Sequence, residues 1–175
     1  SRGLGDVYKR QGVGGATAAK YLKLFNKNLD VTLIDRNPNF IRHYGSSELI
    51  TGAVTMEDLT VSYDALSDRY GVRVVRDTIV GLDADRRTVI GEKGRYAYDK
   101  LIVSPGIELL YEGIPGYSAE LAATKIPSGW IAGPQTQLLA DQLKAMPQGG
   151  TFCLVAPPNP YRCPPGPVSY THLRA

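Results

Sequence analysis

The chain has 175 residues, of which 43% are apolar, enough for one domain with a core of its own. No window reaches the ~18 uninterrupted apolar residues of a membrane helix, and the first residues lack the basic-then-apolar order of a secretory signal. The formal charge of +3 sits in the ends: setting aside four basic and one acidic residue in 1–11 and 168–175 reduces 20 basic and 17 acidic residues to 16 of each. That balance argues against a nucleic-acid surface. Two cysteines and two histidines are too few for a disulfide scaffold or a zinc pattern.

The ends themselves, SRGLGDVYKRQ and VSYTHLRA, resemble peptides translated from sequencing adapters. Residues 1–11 and 168–175 are therefore expected to be artefact and no part of the fold.

From residue 12 onward the order is glycine-rich turn, helix, strand. Gly12 to Gly15 make the turn, Ala16 to Phe25 have helical spacing, and VTLID (31–35) is a β-branched strand ending in an acid. This is the second half of a βαβ unit. A short helix is expected near Ser46 to Ile50, and MEDLTVSYDALSDRYG predicts a helix stopped by Gly71. Three segments, starting at Val72, Arg86 and Arg95, then read as short strands of an antiparallel meander. The last ends in KLIVS (100–104), a continuous apolar run expected as a buried strand of the main sheet. Residues 107–130 are loop-rich. GPQTQLLADQLKAM predicts a helix opened by Pro134, with Leu138, Leu139 and Leu143 on one face. TFCLVA (151–156) reads as a strand with Cys153 in the core, and PPNPYRCPPGP as a loop.

A dinucleotide fold uses G-x-G-x-x-G between strand and helix, for a tight turn, backbone approach to pyrophosphate and close helix packing. Gly12 and Gly15 fit the second and third places, and Arg10 stands at the first. Asp35 stands where an acid that hydrogen-bonds a ribose hydroxyl is expected. The alternative is a plain glycine-rich turn with Asp35 ending a strand. YDKLIVSPG resembles the second flavin-binding stretch of two-dinucleotide-domain flavoproteins, with Ser104-Pro105-Gly106 in place of the usual Ala-Thr-Gly.

Together, GGATAAKYLKL, VTLIDRN, SPGIELLYEGIPGYS, AGPQTQLLADQLKAM and APPNPYRCPPGP resemble the flavoprotein subunit of flavocytochrome c sulfide dehydrogenase, and more distantly the sulfide:quinone oxidoreductases. The resemblance implies an α/β fold: a Rossmann-like FAD-binding domain over residues 12–130, with a parallel sheet and an antiparallel β-meander insertion. The start of a second, truncated dinucleotide-binding-like domain would follow over 131–167. FAD is the implied cofactor. Gly12, Val13, Gly14 and Gly15 would cradle its pyrophosphate at a helix N-terminus. Asp35, with Arg36 beside it, would hold the adenosine ribose, and Ser104, Pro105 and Gly106 would pass close to the cofactor.

Cys163 matches one half of the family's redox-active disulfide. Arg162 beside it would stabilise the thiolate that leaves when sulfide attacks, and the flanking prolines would fix the loop. The partner cysteine would lie beyond Pro167, so this segment alone is expected to be inactive. Where the family commonly tethers its flavin through cysteine, this sequence has His43. Either FAD is bound without a covalent link, which is the preferred reading, or the imidazole makes the bond. The implied substrate is sulfide, the implied partner a c-type cytochrome subunit, and the implied compartment the periplasm, with no nucleic acid, metal or membrane span. The other readings are a sulfide:quinone or NAD(P)H-dependent disulfide oxidoreductase, and a flavin-binding module without turnover.

Overall fold

The structure, a computed structural model, describes residues 12–158. They form two compact units, one of residues 12–44 and 56–108, the other of residues 45–55 and 109–158.

The first unit begins with helix α1, Val13–Phe25. Its buried positions are Gly15 and Ala19, whose small size lets the helix lie close against strand β1, Thr32–Asp35. Strand β4, Arg73–Arg76, runs parallel to β1 in the register Thr32 to Arg73 through Asp35 to Arg76. Ala19 and Leu33 pack with Tyr63 and Val72 into the core, and Ala16, Val31, Phe40, Leu66, Tyr70 and Val74 surround them. Val72 is 2% exposed, and full burial of such a side chain contributes about 1.5–3 kcal/mol.

Between the two parallel strands, β2 (Asn39–Ile41) pairs antiparallel with β3 (Thr60–Ser62). Helix α3, Met56–Leu59, precedes β3, and helix α4, Asp64–Tyr70, follows it. The α4 helix stops at Gly71, whose φ of 66° is the left-handed cap that glycine adopts at least cost. The meander follows: β5 (Ile79–Asp83), β6 (Thr88–Gly91) and β7 (Arg95–Ala97), in that spatial order.

A buried carboxylate fastens the entry to this meander. Asp77 is 2% exposed. It accepts hydrogen bonds from the Tyr96 hydroxyl at 2.7 Å, the Thr78 N–H at 2.8 Å and the Lys93 N–H at 3.1 Å. A methyl group on Gly91 would stand 2.6 Å from Asp77 Cγ, so only glycine lets β6 pass this close.

In the second unit, α2 (Glu48–Thr51) ends at Gly52, and a 3-10 turn, Tyr111–Gly113, leads towards α5 (Ala119–Thr124). The Ser118 hydroxyl caps α5 by accepting from the Leu121 N–H at 3.2 Å. Helix α6, Pro134–Ala145, has proline in its first turn, where the missing N–H has no intrahelical partner to lose. It packs against α2 and α5 and buries Thr136 and Ala140, while Leu138, Leu139 and Leu143 are half-buried.

The α/β class with a parallel pair and an antiparallel meander is as the sequence implies, with four local differences. First, the predicted helix over 56–71 is broken by β3, because β-branched Thr60 and Val61 pair across to β2. Second, the strand after Gly71 belongs to the parallel sheet and not to the meander. Third, KLIVS is not a strand. Leu101, Ile102 and Val103 are 37–54% exposed, and no described strand pairs with them, so their backbone lacks the ladder that would make a strand. Fourth, TFCLVA forms no strand for the same reason, and Cys153 is exposed rather than in the core.

Candidate nucleotide-binding site

Helix α1 provides the first part. Gly12 is its N-cap, in extended conformation, and no side chain caps it. The first intrahelical bond runs from the Ala16 N–H to the Gly12 carbonyl at 3.3 Å, which leaves the N–H groups of Val13, Gly14 and Gly15 ahead of the ladder. Such a turn carries partial positive charge and suits an anion. Val13 and Gly14 are exposed, and Gly15 is buried beneath them.

The second part comes from 90 residues further along the chain. A methyl group on Gly14 would stand 2.6 Å from Ser104 Oγ, so Ser104 lies directly against the helix start. Gly106 has a φ of 76°, a left-handed bend that turns the chain away after Pro105. The structure thus brings together two sequence-predicted stretches. Gly12 is likewise backed by Phe40, whose ring would lie 3.8 Å from a methyl group placed there.

The third part is Asp35, at the carboxyl end of β1. It is 3% exposed. Its Oδ1 accepts from the Asn37 N–H at 2.8 Å, and its Oδ2 accepts from the Tyr63 hydroxyl at 2.8 Å. Burial pushes the Asp35 carboxyl above its ordinary range, against the pull of the Asn37 N–H, the Tyr63 hydroxyl and the Arg36 charge. Burial and the neighbouring carboxylate push the Tyr63 hydroxyl well above the usual phenol range. Arg36 is exposed.

His43 lies on the surface near this region, its ring edge-on to Phe40 with centroids 6.1 Å apart. Cys163, expected as the redox-active sulfur, lies outside the described residues, as do Arg162, 1–11 and 168–175. Tyr63 and Phe40 escaped the sequence reading. A signal for Tyr63 was present: a tyrosine flanked by the polar Ser62 and Asp64 needs a partner for its hydroxyl when the ring goes inside.

The donor set fits an adenine dinucleotide. Uncapped N–H groups at a glycine-lined helix start suit a pyrophosphate, and a carboxylate ends the next strand. Among the described residues no group of three or more metal-ligating side chains is gathered, and no helix is long and apolar enough to cross a membrane.

Residues 136–173 match the family model described as the central part of the sulfide dehydrogenase (flavocytochrome c) flavoprotein chain. A sulfide-quinone reductase of Aquifex aeolicus is 28% identical over 101 residues, which cover 57% of this chain and 24% of that protein. The crystal structure of the Aquifex aeolicus sulfide:quinone oxidoreductase superposes with a TM-score of 0.64 at 25% identity, over 77% of this chain and 30% of that one. The water-forming NADH oxidase of Lactobacillus brevis, bound to NADH, shares the fold with a TM-score of 0.58 at 21% identity, over 76% of this chain and 30% of that one. The fold is that of the FAD-binding Rossmann-like oxidoreductases, and FAD is the cofactor of these relatives. The chain is homologous to sulfide-quinone reductase, and it spans about a quarter to a third of its relatives' length.

Proposed function

We propose that this chain is part of an FAD-dependent oxidoreductase that oxidises sulfide and passes the electrons to a c-type cytochrome. The observation that carries the reading is the meeting of Gly14 with Ser104 at the uncapped start of α1. The match of residues 136–173 to the flavocytochrome c flavoprotein chain supports the choice of acceptor.

In this reading the N–H groups of Val13, Gly14 and Gly15 bind the pyrophosphate, and Asp35 accepts from the adenosine ribose. Ser104, Pro105 and Gly106 form the wall beside the cofactor, and Arg36 adds positive charge at the edge. FAD, when bound, supplies the chemistry that takes up two electrons and releases them singly. Cys163 serves as one sulfur of a disulfide that sulfide opens, with Arg162 stabilising the thiolate released. His43 stands beside the flavin's site without a covalent link to it, and the protein works in the periplasm.

A second reading, reduction of quinone, is favoured by the likeness to the Aquifex aeolicus enzymes. The two are separated with the full-length protein. Sulfide is expected to bleach the flavin absorbance, and cytochrome c is expected to be reduced faster than a soluble quinone. Faster quinone reduction would select the second reading. A flavin that sulfide leaves oxidised would reject both and leave a binding module. Trichloroacetic acid precipitation is expected to leave the flavin in the supernatant, whereas a yellow pellet would assign a bond to the protein.

A further inference from the structure

We propose that Tyr63 is a positioning residue for nucleotide binding: its hydroxyl and the Asn37 N–H each anchor one oxygen of the Asp35 carboxylate and hold it in the plane in which it accepts from the vicinal diol of a ribose. The inference deepens the reading of Asp35 as the ribose acceptor and rests on it.

Asp35 and Tyr63 are 28 residues apart in sequence, and their hydrogen bond is buried. The Tyr63 ring is 5% exposed and packs with Ala19, Leu33 and Val72. Because those neighbours hold the ring, the hydroxyl is delivered to a fixed point. With Oδ2 anchored there and Oδ1 anchored on Asn37, the carboxylate plane is set before any ligand arrives. Each carboxylate oxygen has two lone-pair sites, so neither anchor saturates its oxygen, and the Asn37 side chain, which also donates to the carboxylate, can yield its place to a ribose hydroxyl. Preorganisation of this kind lowers the ordering cost of binding. A phenylalanine at 63 would keep the packing and release Oδ2.

The charged and titratable groups around Asp35 are Arg36 next to it in the chain, Tyr63, and Arg76, its ladder partner on β4. The Tyr63 hydroxyl favours the ionised carboxylate against the effect of burial. The diol needs the ionised form as acceptor. Removing the hydroxyl therefore moves the loss of binding on acidification to higher pH.

The test titrates ADP into the deflavinated full-length protein by calorimetry, with 2′-deoxy-ADP and 3′-deoxy-ADP beside it. Wild type is expected to discriminate against both deoxy compounds. Y63F is expected to bind ADP about tenfold more weakly, to lose most of that discrimination, and to show its acid limb at higher pH. In a D35A background the same substitution is expected to change nothing further, which a merely structural tyrosine would not do. Genetically encoded 3-fluorotyrosine at position 63, a stronger donor that preserves the packing, is expected to move the acid limb to lower pH and tests the idea should Y63F fold poorly. If wild type binds neither ADP nor FAD, the ribose reading falls and this proposal with it. If wild type discriminates the diol while Y63F or the fluorinated protein keeps affinity, discrimination and pH profile unchanged, the ribose reading stands and the role of Tyr63 is refuted.

Discussion

Replacing Asp77 with alanine is expected to loosen the meander selectively. The carboxylate satisfies the Tyr96 hydroxyl and the N–H groups of Thr78 and Lys93, and all three lose their acceptor together. A donor left unsatisfied costs about 1–3 kcal/mol when buried. These three are part-buried, so the lower end applies and the sum is about 3 kcal/mol. A global unfolding midpoint is a poor reporter in a chain of two units. Native-state hydrogen exchange reads the meander alone: amides of β5, β6 and β7 in D77A should exchange about 150-fold faster, while those of α1 stay within about threefold of wild type. The pH dependence has a definite sign. Burial raises the Asp77 carboxyl, but the Tyr96 hydroxyl, the Lys93 and Thr78 N–H groups and the Lys93 charge outweigh it and hold the group below its ordinary range. A depressed carboxyl contributes stability that is fully present above the ordinary value of 3.8 and is lost as pH falls towards the folded-state value. The difference between wild type and D77A should therefore shrink below pH 4. An exchange increase under about tenfold would refute the reasoning, because water would then be replacing the carboxylate without penalty.

Three other substitutions separate folding from binding. G91A should destabilise the same meander by about 3 kcal/mol or more, since the added methyl meets an Asp77 side chain held by its hydrogen bonds; hydrogen exchange in β6 checks it. G14A should leave thermal stability within about 1 kcal/mol, because the gain in helix propensity offsets the rotation of Ser104. Its effect should fall on FAD affinity, read by recovery of flavin fluorescence on dilution, where a methyl crowds the approach to the helix N–H groups. S118A removes the cap of α5 and should cost about 1 kcal/mol, seen as faster exchange at Ala119 to Thr124 with no change in flavin content.

What the sequence makes legible is local. Helix α1, the acid-ended strand β1, the glycine stop after α4 and the proline-led α6 each depend on residues within one or two turns of one another. The meeting of Gly14 with Ser104 was implied only indirectly, by a resemblance that assigned both stretches to one cofactor. Placement of β4 was not. RVVR has the same alternation whether it joins a meander or lies parallel to β1, and only the Thr32 to Arg73 register decides. The bond from Tyr63 to Asp35 escaped for a related reason: it joins positions whose meeting depends on the whole path of β2, α2, α3 and β3. KLIVS and TFCLVA mark the opposite failure. Their composition suits a strand, but a strand exists only where another backbone offers hydrogen bonds.

The second unit is assembled from two stretches of chain, and α2 finds its packing partner in α6, roughly eighty residues later. A ribosome adding 5–20 residues per second takes about 4–16 s to cover that distance. During this interval Leu49, 5% exposed in the finished fold, has no α6 to cover it, while the whole of residues 12–44 and 56–108 can already come together. The order of birth along the chain is therefore not the order of completion. Gly45–Thr55 waits for its partner helix, and it is there that a ribosome-bound chaperone has both an apolar side chain and time to hold it.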